Sequence, residues 1–270
     1  MCRLYGLHAT HPTKPGCELL HAQNALIRQS LEDERGFENP DGWGIGWVRD
    51  GVAECTRQVD PAHESERYRA EALSTEAETV VAHVRRATVG SPRPENTHPF
   101  RWDDSFLAHN GHIGRFDEVR PRLLEALPEA RRGAIGGSTD SEHFFQLVLA
   151  ELHERGAPSM AEALRRAVGK VRDWVAAVDP NAAAALNTLW VENGRLAGTR
   201  LGRSLWSLER DAPFECPICD HRHAEPGDEP YRAVVLASER ITDEAWQSVP
   251  DGSVFWIDRQ VRLDVEPLGL

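Results

Sequence analysis

The order of strand and helix patterns along the chain restricts the fold more than any other feature. Asp50-Gly51 and Asn193-Gly194 each separate two short alternating apolar runs, which is a strong signal for a hairpin. Long helical patterns lie between these two turns, and further strand patterns follow the second turn. Strands, then a helical pair, then more strands predict a layered α+β domain built from antiparallel strands.

Length, charge and composition bound the class of protein. The 270 residues are 40% hydrophobic, which is typical of a globular chain, and one domain over 1–270 is expected. Lys and Arg number 31 against 43 Asp and Glu, and the net charge of -12 disfavours nucleic-acid and anionic-membrane partners. The sequence shows neither an apolar run of about 20 residues nor a signal peptide, which predicts a cytoplasmic protein.

The cysteines form no regular disulfide pattern. They are five in number and irregularly spaced: Cys2, Cys17, Cys55, Cys216 and Cys219. In a cytoplasmic chain this favours free thiols. Two features need an explanation of their own, namely the position of Cys2 directly after the initiator methionine and the close pair formed by Cys216 and Cys219.

The segment CPICDHRH combines thiols and imidazoles. Cys216 and Cys219 have the C-x-x-C spacing of a metal knuckle, and His221 and His223 follow closely. The histidines follow more closely than in the usual zinc pattern. A half-site completed from elsewhere in the chain and a polar loop with two free thiols are both open, and the second is preferred, so no metal is predicted.

Polar residues occur where strands end and where a helix begins. These residues are Cys2, Arg85 in HVRRAT, Asn110 and Gly111 in AHNG, and Asp140 in GSTDSE. Thr139 and Glu142 have capping-box spacing ahead of an apolar run, which places Asp140 in the first turn of a helix. The proline-rich stretch 91–100 is predicted to be a loop directly after a strand.

Several of these motifs occur together in one known family. MCRLYG, NPDGWGIGW, AHVRRATVG, ENTHPF, LAHNGHI and GSTDSE resemble, in order and spacing, the class II glutamine amidotransferases, which are N-terminal nucleophile hydrolases. The resemblance covers about 1–155, and the tail phrase VVLASERITDEAW resembles the stand-alone group without a synthase domain. It implies a four-layer αββα sandwich of two mainly antiparallel sheets, with the strand-rich part 186–270 completing it.

The resemblance implies catalytic roles for three residues. Cys2 would be the nucleophile once Met1 is removed, and its α-amine, with an ordinary pKa of about 7.7–8.0, could take the thiol proton. No separate catalytic histidine is then required. Asn110 and Gly111 would form the oxyanion hole, although an Asn-Gly pair by itself is equally typical of an ordinary turn.

Arg85 is implied to bind the α-carboxylate of a glutamine-like substrate. A guanidinium suits this role because it pairs with a carboxylate through two parallel hydrogen bonds. Arg86 is the rival, and the H-x-R pattern counted from His83 selects Arg85. An arginine solvated at a strand end remains the alternative for an isolated motif.

Other substrate contacts are implied at the helix start and in the loop after Arg85. Asp140 would bind the substrate ammonium, and a carboxylate stabilised at a helix N-terminus is a compatible alternative. Thr88 and His98 would lie near the substrate, although a structural role is preferred for His98. Val89 departs from the family pattern, because members often carry a histidine there.

The expected activity is hydrolysis of a γ-glutamyl amide through a glutamyl thioester, without a metal or organic cofactor. Two substrates remain open. Glutamine could release ammonia for a separate synthase, or a γ-glutamyl amide of a larger thiol or amine could be cleaved, as in a related branch that serves ergothioneine biosynthesis. A non-catalytic glutamyl-binding protein that retains Met1 is the rival from another class.

Overall fold

Two antiparallel sheets form the centre of the structure, a computed structural model that describes residues 2–216, 220 and 230–270. Along this part of the chain the strands are β1 (Arg3–Thr13), β2 (Trp43–Arg49), β3 (Val52–Gln58), β4 (Ala77–Val84), β5 (Phe100–Trp102), β6 (Ser105–Ile113), β7 (Ala184–Glu192), β8 (Arg195–Arg200), β9 (Trp206–Arg210), β10 (Ala233–Ala237), β11 (Gln247–Ser248), β12 (Ser253–Ile257) and β13 (Leu263–Pro267). The helices are α1 (Leu26–Leu31), α2 (Glu66–Ser74), α3 (Phe116–Ala126), α4 (Glu129–Gly133), α5 (Asp140–His153) and α6 (Met160–Val178). A π-helical turn, Cys17–His21, precedes α1, and a short 3-10 turn, Pro94–Asn96, precedes β5.

Strands from both ends of the chain share each sheet. The first sheet has the order β11-β9-β10-β1-β4-β2-β3, and the second has the order β13-β12-β8-β7-β6-β5. The N-terminal strand β1 therefore lies between β10 and β4, with antiparallel partners on both sides. Because of this position, Cys2, which precedes β1, is held at the end of a central strand.

Three apolar clusters separate the layers. Leu4, Phe106, Leu189 and Leu236 belong to the cluster between the two sheets. A second cluster joins the first sheet to α1, α2 and the π-helical turn, and a third joins the second sheet to α3, α5 and α6. The sequence of layers is helix, sheet, sheet, helix, which confirms the predicted αββα sandwich. Among the described residues, no helix has both the length and the apolar character needed to cross a bilayer.

Both predicted hairpin turns are confirmed. Asp50 and Gly51 have φ values of 51° and 77°, and Asn193 and Gly194 have φ values of 49° and 75°. Two consecutive residues with positive φ are the requirement of a type I′ turn, which joins β2 to β3 and β7 to β8 with the twist of the strands. These dipeptides therefore fix the register of β2 with β3 and of β7 with β8.

The apolar periodicity over 17–34 predicts one helix, and this prediction is wrong. The structure has a π-helical turn and α1, separated by an extended segment. In that segment the backbone N–H of Asn24 donates to the carbonyl of Ile241 (N···O 3.1 Å), and its side-chain amide donates to the carbonyl of Arg240 (Nδ2···O 3.0 Å). The first of these bonds satisfies a backbone N–H that a continuous helix would have paired internally, and the second adds a side-chain contact with the same distant segment.

Two further local predictions are corrected. The strand that was expected to end at Asn110 and Gly111 continues through Ile113, because all three residues pair with β7. The stretch TDEAWQSV over 242–249 predicts a short helix, which is not formed; instead Gln247 and Ser248 pair with the edge of β9. The Asn-Gly pair therefore forms part of a strand and not a turn.

The glycine-rich sequence of β2 predicts that another backbone or a ligand approaches this strand closely. The structure shows a backbone there. A Cβ atom added at Gly44 would lie 2.1 Å from the carbonyl oxygen of His98. Any side chain at Gly44 would push away the loop that carries His98. The glycine thus fixes the distance between β2 and the loop that follows β4.

Candidate active site

Cys2 lies directly before β1, at the end of the sheet where β4 also ends. The backbone N–H of Arg86 donates to Sγ of Cys2 (N···S 3.4 Å), and Sγ is also 3.4 Å from the carbonyl oxygen of Arg86. Burial raises the pKa of the Cys2 thiol, while the Arg86 N–H and the charges of Arg85 and Arg3 act in the opposite direction. The thiol is therefore protonated at neutral pH.

Arg3 anchors the start of β1 through a buried ion-pair network. Its Nη2 lies 2.8 Å from Oδ2 of Asp33, and its Nε lies 2.5 Å from Oε1 of Glu239. Its Nη1 donates to the carbonyl oxygen of Cys2 at 3.0 Å. The network thus fixes the backbone of the proposed nucleophile to two distant segments, and sequence reasoning did not identify it.

We expect Arg3→Ala to lower the free energy of unfolding by about 3–5 kcal/mol, because Asp33 and Glu239 would stay buried without this cation. Urea denaturation followed by circular dichroism measures the loss. Arg262→Ala is the matched control, since its ion pair with Asp258 lies at the surface and the arginine side chain is 58% exposed. The control should lose about 0–1 kcal/mol. Equal small losses in both variants would contradict a supporting role for Arg3.

Arg85 is buried and braces the loop that follows it. Its Nη2 donates to the carbonyl oxygens of Val89 and Gly90, both at 3.0 Å. Burial lowers the pKa of Arg85, whereas Cys2, Asp41 and Asp140 raise it. The guanidinium is therefore held beside the pocket by its own loop, in a position to meet a carboxylate.

The turn Pro40-Asp41-Gly42 holds the other side of this loop. The backbone N–H of Ala87 donates to Oδ2 of Asp41 (2.8 Å), and the N–H of Arg85 donates to the carbonyl of Gly42 (2.7 Å). The sequence indicates only turn chemistry at Asp41. In the structure this carboxylate shapes the loop that carries Arg85 and Thr88.

Asn110 and Gly111 are adjacent on β6, and the Asn110 side chain is linked to the start of β1 through Ser238. Nδ2 of Asn110 donates to Oγ of Ser238 (3.2 Å), and the same hydroxyl oxygen accepts the backbone N–H of Leu4 (2.9 Å). Ser238 thus joins the strand of the proposed nucleophile to the strand of the proposed oxyanion hole. A Cβ at Gly111 would lie 1.8 Å from the carbonyl oxygen of Ala185, so only glycine fits there.

Asp140 is the first residue of α5 and is buried beside β6. Its Oδ2 accepts the backbone N–H of Ile113 (2.7 Å), and its Oδ1 accepts the N–H of Ser141 (2.9 Å). The Thr139 hydroxyl accepts the N–H of Glu142 (3.2 Å), which confirms the predicted helix start. The carboxylate therefore lies at a helix N-terminus and lines the pocket at the same time.

Three buried imidazoles, those of His83, His98 and His109, lie next to one another. The ring centroids of His83 and His98 are 4.1 Å apart, and none of their four ring nitrogens has a partner among the described residues. Burial lowers the pKa of His83 to about 3 and that of His98 well below its usual range. Both rings are neutral at physiological pH and are weak bases.

His109 is the third imidazole and has partners on both nitrogens. Its Nε2 donates to the carbonyl of Ala185 (2.9 Å), so in the neutral ring Nδ1 accepts from the Ser141 hydroxyl (2.8 Å). Burial lowers its pKa as well. The ring joins β6, β7 and the start of α5, and fixes the spacing between Gly111 and Asp140.

One small cleft, with a volume of about 20 Å³, brings most of the predicted site residues together. Cys2, Arg85, Thr88, His98, Gly111 and Asp140 all line it, with Arg86, Ala87, Val89, His109, Thr139 and Ser141. Asn110 lies beside the cleft and its amide is held by Ser238. Sequence motifs thus identified six of the lining residues. His109 was missed although it lines the cleft, and Asp41 and Ser238 were missed because their side chains only position neighbouring groups.

Of the four metal candidates, only Cys216 lies among the described residues, and it does not line this cleft. Cys216 is buried, and Cys219, His221 and His223 lie outside the described residues. Sγ of Cys216 is 2.8 Å from Sγ of Cys17, a residue for which sequence reasoning gave no special role. No spacing rule connects two cysteines so distant in the chain.

Solved structures share this fold. A glutamine aminotransferase class-II domain protein from Silicibacter pomeroyi aligns with a TM-score of 0.64 and 20% identity over 99% of both chains. The glutamine phosphoribosylpyrophosphate amidotransferase of B. subtilis aligns with a TM-score of 0.66 and 17% identity, over 99% of this chain and 49% of its own. The chain therefore shares the fold of these two proteins.

Sequence comparisons identify the family. The family of glutamine amidotransferases class-II matches residues 1–265. The γ-glutamyl-hercynylcysteine sulfoxide hydrolase of Mycolicibacterium smegmatis is 30% identical over 93% of this chain and 92% of its own. The probable glutamine amidotransferase DUG3 of Saccharomyces cerevisiae is 26% identical over 97% of this chain and 83% of its own. The chain belongs to the class II glutamine amidotransferases and is an enzyme of that family, as its ordered motifs predict.

Proposed function

We propose that the chain hydrolyses γ-glutamyl amides with Cys2 as the nucleophile. The observation that carries this proposal is the convergence of Cys2, Arg85, Gly111 and Asp140 on one cleft. A thiol, a guanidinium and a carboxylate line this cleft together. These two charges complement the α-carboxylate and α-ammonium of a glutamyl group.

The chemistry begins with removal of Met1, which leaves a free α-amine on Cys2. This amine takes the thiol proton, and Sγ attacks the γ-amide carbon of the substrate. The Asn110 amide and the Gly111 N–H donate to the oxygen that becomes negative, and each donor is worth about 3–4 kcal/mol. The protonated amine then returns its proton to the leaving nitrogen.

Water completes the cycle by hydrolysing the glutamyl thioester, so that glutamate leaves and the thiol is restored. Arg85 and Asp140 hold the amino-acid end throughout, with Thr88 and His98 lining the same cleft. The buried histidines are too weakly basic to replace the α-amine. The test is glutamate release by the processed chain, measured beside the Cys2→Ala variant.

The space beside the catalytic cleft favours a substrate larger than glutamine. A second cleft of about 730 Å³ shares Thr88 and Val89 with the first one. It also contains His112, the start of α3 and Arg203. Glutamine would leave this volume empty, whereas a γ-glutamyl amide with a larger amine could occupy it. Glutamine hydrolysis that supplies ammonia to a separate synthase is the second candidate.

The charge of the second cleft indicates what this amine carries. Arg203 forms no ion pair with a described residue, and its buried Nε has no hydrogen-bond partner there. Its other nitrogens donate to Nδ1 of His112 and the carbonyl of Gly202, both at 3.3 Å. Burial, and then the charge of Arg35, lower its pKa. A half-buried cation without a counter-charge favours an acidic group on the leaving amine.

We expect the wild-type chain to prefer γ-glutamylglycine over γ-glutamylglycinamide, which differ only in one carboxylate. The Arg203→Gln variant should lose roughly tenfold in kcat/KM for the first and little for the second, because a charged hydrogen bond is removed. Arg115→Gln is the matched control, since Arg115 lines the same cleft but already pairs with Glu118 (Nη2···Oε1 2.6 Å).

Equal kcat/KM for the two substrates in the wild-type chain would refute the acidic leaving group and leave the Cys2 chemistry intact. A preference for glutamine over both would favour the ammonia-releasing function instead. Absence of glutamate release from all three substrates would contradict the proposed activity itself.

A further inference from the structure

Two buried thiols meet on the side of the first sheet that packs against helices, apart from the catalytic cleft. Cys17 begins the π-helical turn after β1, and Cys216 follows β9. Their Sγ atoms are 2.8 Å apart, although the residues are 199 positions apart in the chain. The side chains are 0% and 1% exposed, so both thiols are removed from bulk water.

The surrounding framework holds the two segments together. Glu18, next to Cys17, accepts from Nη1 of Arg210 (Oε1···N 2.8 Å), and Arg210 also pairs with Glu244 (2.7 Å). The Arg210 guanidinium carbon lies 4.2 Å from the ring centroid of Phe214, two residues before Cys216. Buried charges and an aromatic contact therefore set the approach of the two thiols.

The sequence adds a second, independent observation. Cys216 begins a C-x-x-C pair, the spacing with which zinc knuckles bind their metal, and such a pair takes its remaining ligands from a distant segment. Cys17 is a thiol of that kind, brought to Cys216 by the fold. The open question of a half-site completed from elsewhere in the chain therefore has a candidate answer.

We propose that Cys17 and Cys216 are thiolate ligands of one structural zinc ion. The ion would fasten the connection between β9 and β10 to the turn after β1. Among the described residues, no group of three or more His, Cys, Asp or Glu side chains is placed to hold a metal, and the proposal names only these two thiols as ligands. Cys219, His221 and His223 lie outside the described residues. Each thiol releases its proton when zinc binds, and no electron is transferred.

The first experiment uses the unaltered chain and compares its intact mass under native and denaturing conditions. We expect the native mass to exceed the denatured mass by one zinc ion, and the denatured mass to equal that of the fully reduced chain. A native mass without metal would overturn the proposal. A denatured mass two hydrogens lower, mapped to a bond between Cys17 and Cys216, would overturn it in favour of a disulfide.

The second experiment locates the metal. Zinc content should fall from one ion per chain to less than about a tenth in Cys17→Ser and in Cys216→Ser, because a structural site rarely survives loss of a thiolate. Cys55→Ser is the matched control, since this half-buried thiol lies on β3, and it should retain the ion. Zinc retained in both Cys17→Ser and Cys216→Ser would refute the assignment.

A variant that does not fold would also lack metal, so a third measurement uses the wild-type chain alone. After chelation of its metal, addition of Co²⁺ should produce the near-ultraviolet charge-transfer absorption of cobalt bound to thiolates. Addition of Zn²⁺ should then abolish this absorption. Absence of the absorption in chain that remains folded by circular dichroism would contradict thiolate coordination.

Discussion

Cys2→Ala is expected to reduce glutamate release from γ-glutamyl amides by at least about a thousandfold. The reason is that alanine leaves no atom to form the glutamyl thioester, while the cleft and its charged side chains remain. The measurement is glutamate production from glutamine and from γ-glutamylglycine by purified chain with a verified N-terminus. Circular dichroism and thermal unfolding show whether the variant is folded.

Cys55→Ala is the matched control for this prediction. Sγ of Cys55 lies 3.9 Å from the carbonyl oxygen of Pro99, and burial raises the pKa of this thiol to about 11. It is therefore protonated and unreactive at neutral pH, and its loss should leave the rate unchanged. A γ-glutamyl analogue with an electrophile in place of the amide should label Cys2 and spare Cys55. Glutamate release that survives Cys2→Ala would exclude the proposed nucleophile.

The fold was predictable where local chemistry decides it. Asp50-Gly51 and Asn193-Gly194 require positive φ at two successive residues, and few sequences other than such pairs allow it. The helix start at Thr139 was predictable for the same reason, since its hydroxyl acts on a backbone group three residues away. Such short-range signals are reliable because the backbone angles and the cap that they set do not depend on distant segments of the chain.

Prediction failed where distant segments compete with local preference. The apolar spacing over 17–34 is typical of a helix. However, the backbone N–H of Asn24 donates to the carbonyl of Ile241, and its side-chain amide donates to the carbonyl of Arg240. The same applies to Gln247 and Ser248, which pair with a strand edge in place of forming a helix. A single sequence does not indicate which distant carbonyl group will accept a hydrogen bond from a given residue.

The residues of the candidate site also differ in whether the sequence allowed them to be predicted. Cys2, Arg85, Gly111 and Asp140 were found because motifs name the groups that would contact a substrate. The groups that position them were not found. Ser238 joins Asn110 to the backbone of β1 across 128 positions of the chain, and its single hydroxyl has no sequence signature.

Retention of Met1 is expected to lower kcat/KM by at least about a hundredfold, which is the usual contribution of a general base. With Met1 in place, the nitrogen of Cys2 is an amide and cannot take a proton. The thiol, whose pKa is raised chiefly by burial, then stays protonated at neutral pH. The measurement compares two chains released from a cleavable fusion, one beginning at Cys2 and the other at Met1, with each N-terminus verified by intact mass.

The pH dependence separates this base from the buried imidazoles. An amine must be neutral to accept the thiol proton, so kcat/KM of the processed chain should rise with pH and reach half its maximum near the ordinary amine pKa of about 7.7–8.0. His83, with its pKa lowered to about 3, and His98, lowered well below its usual range, stay neutral over this interval and add no such rise. Equal activity of the two chains, with or without this rise, would show that the α-amine of Cys2 is not the base.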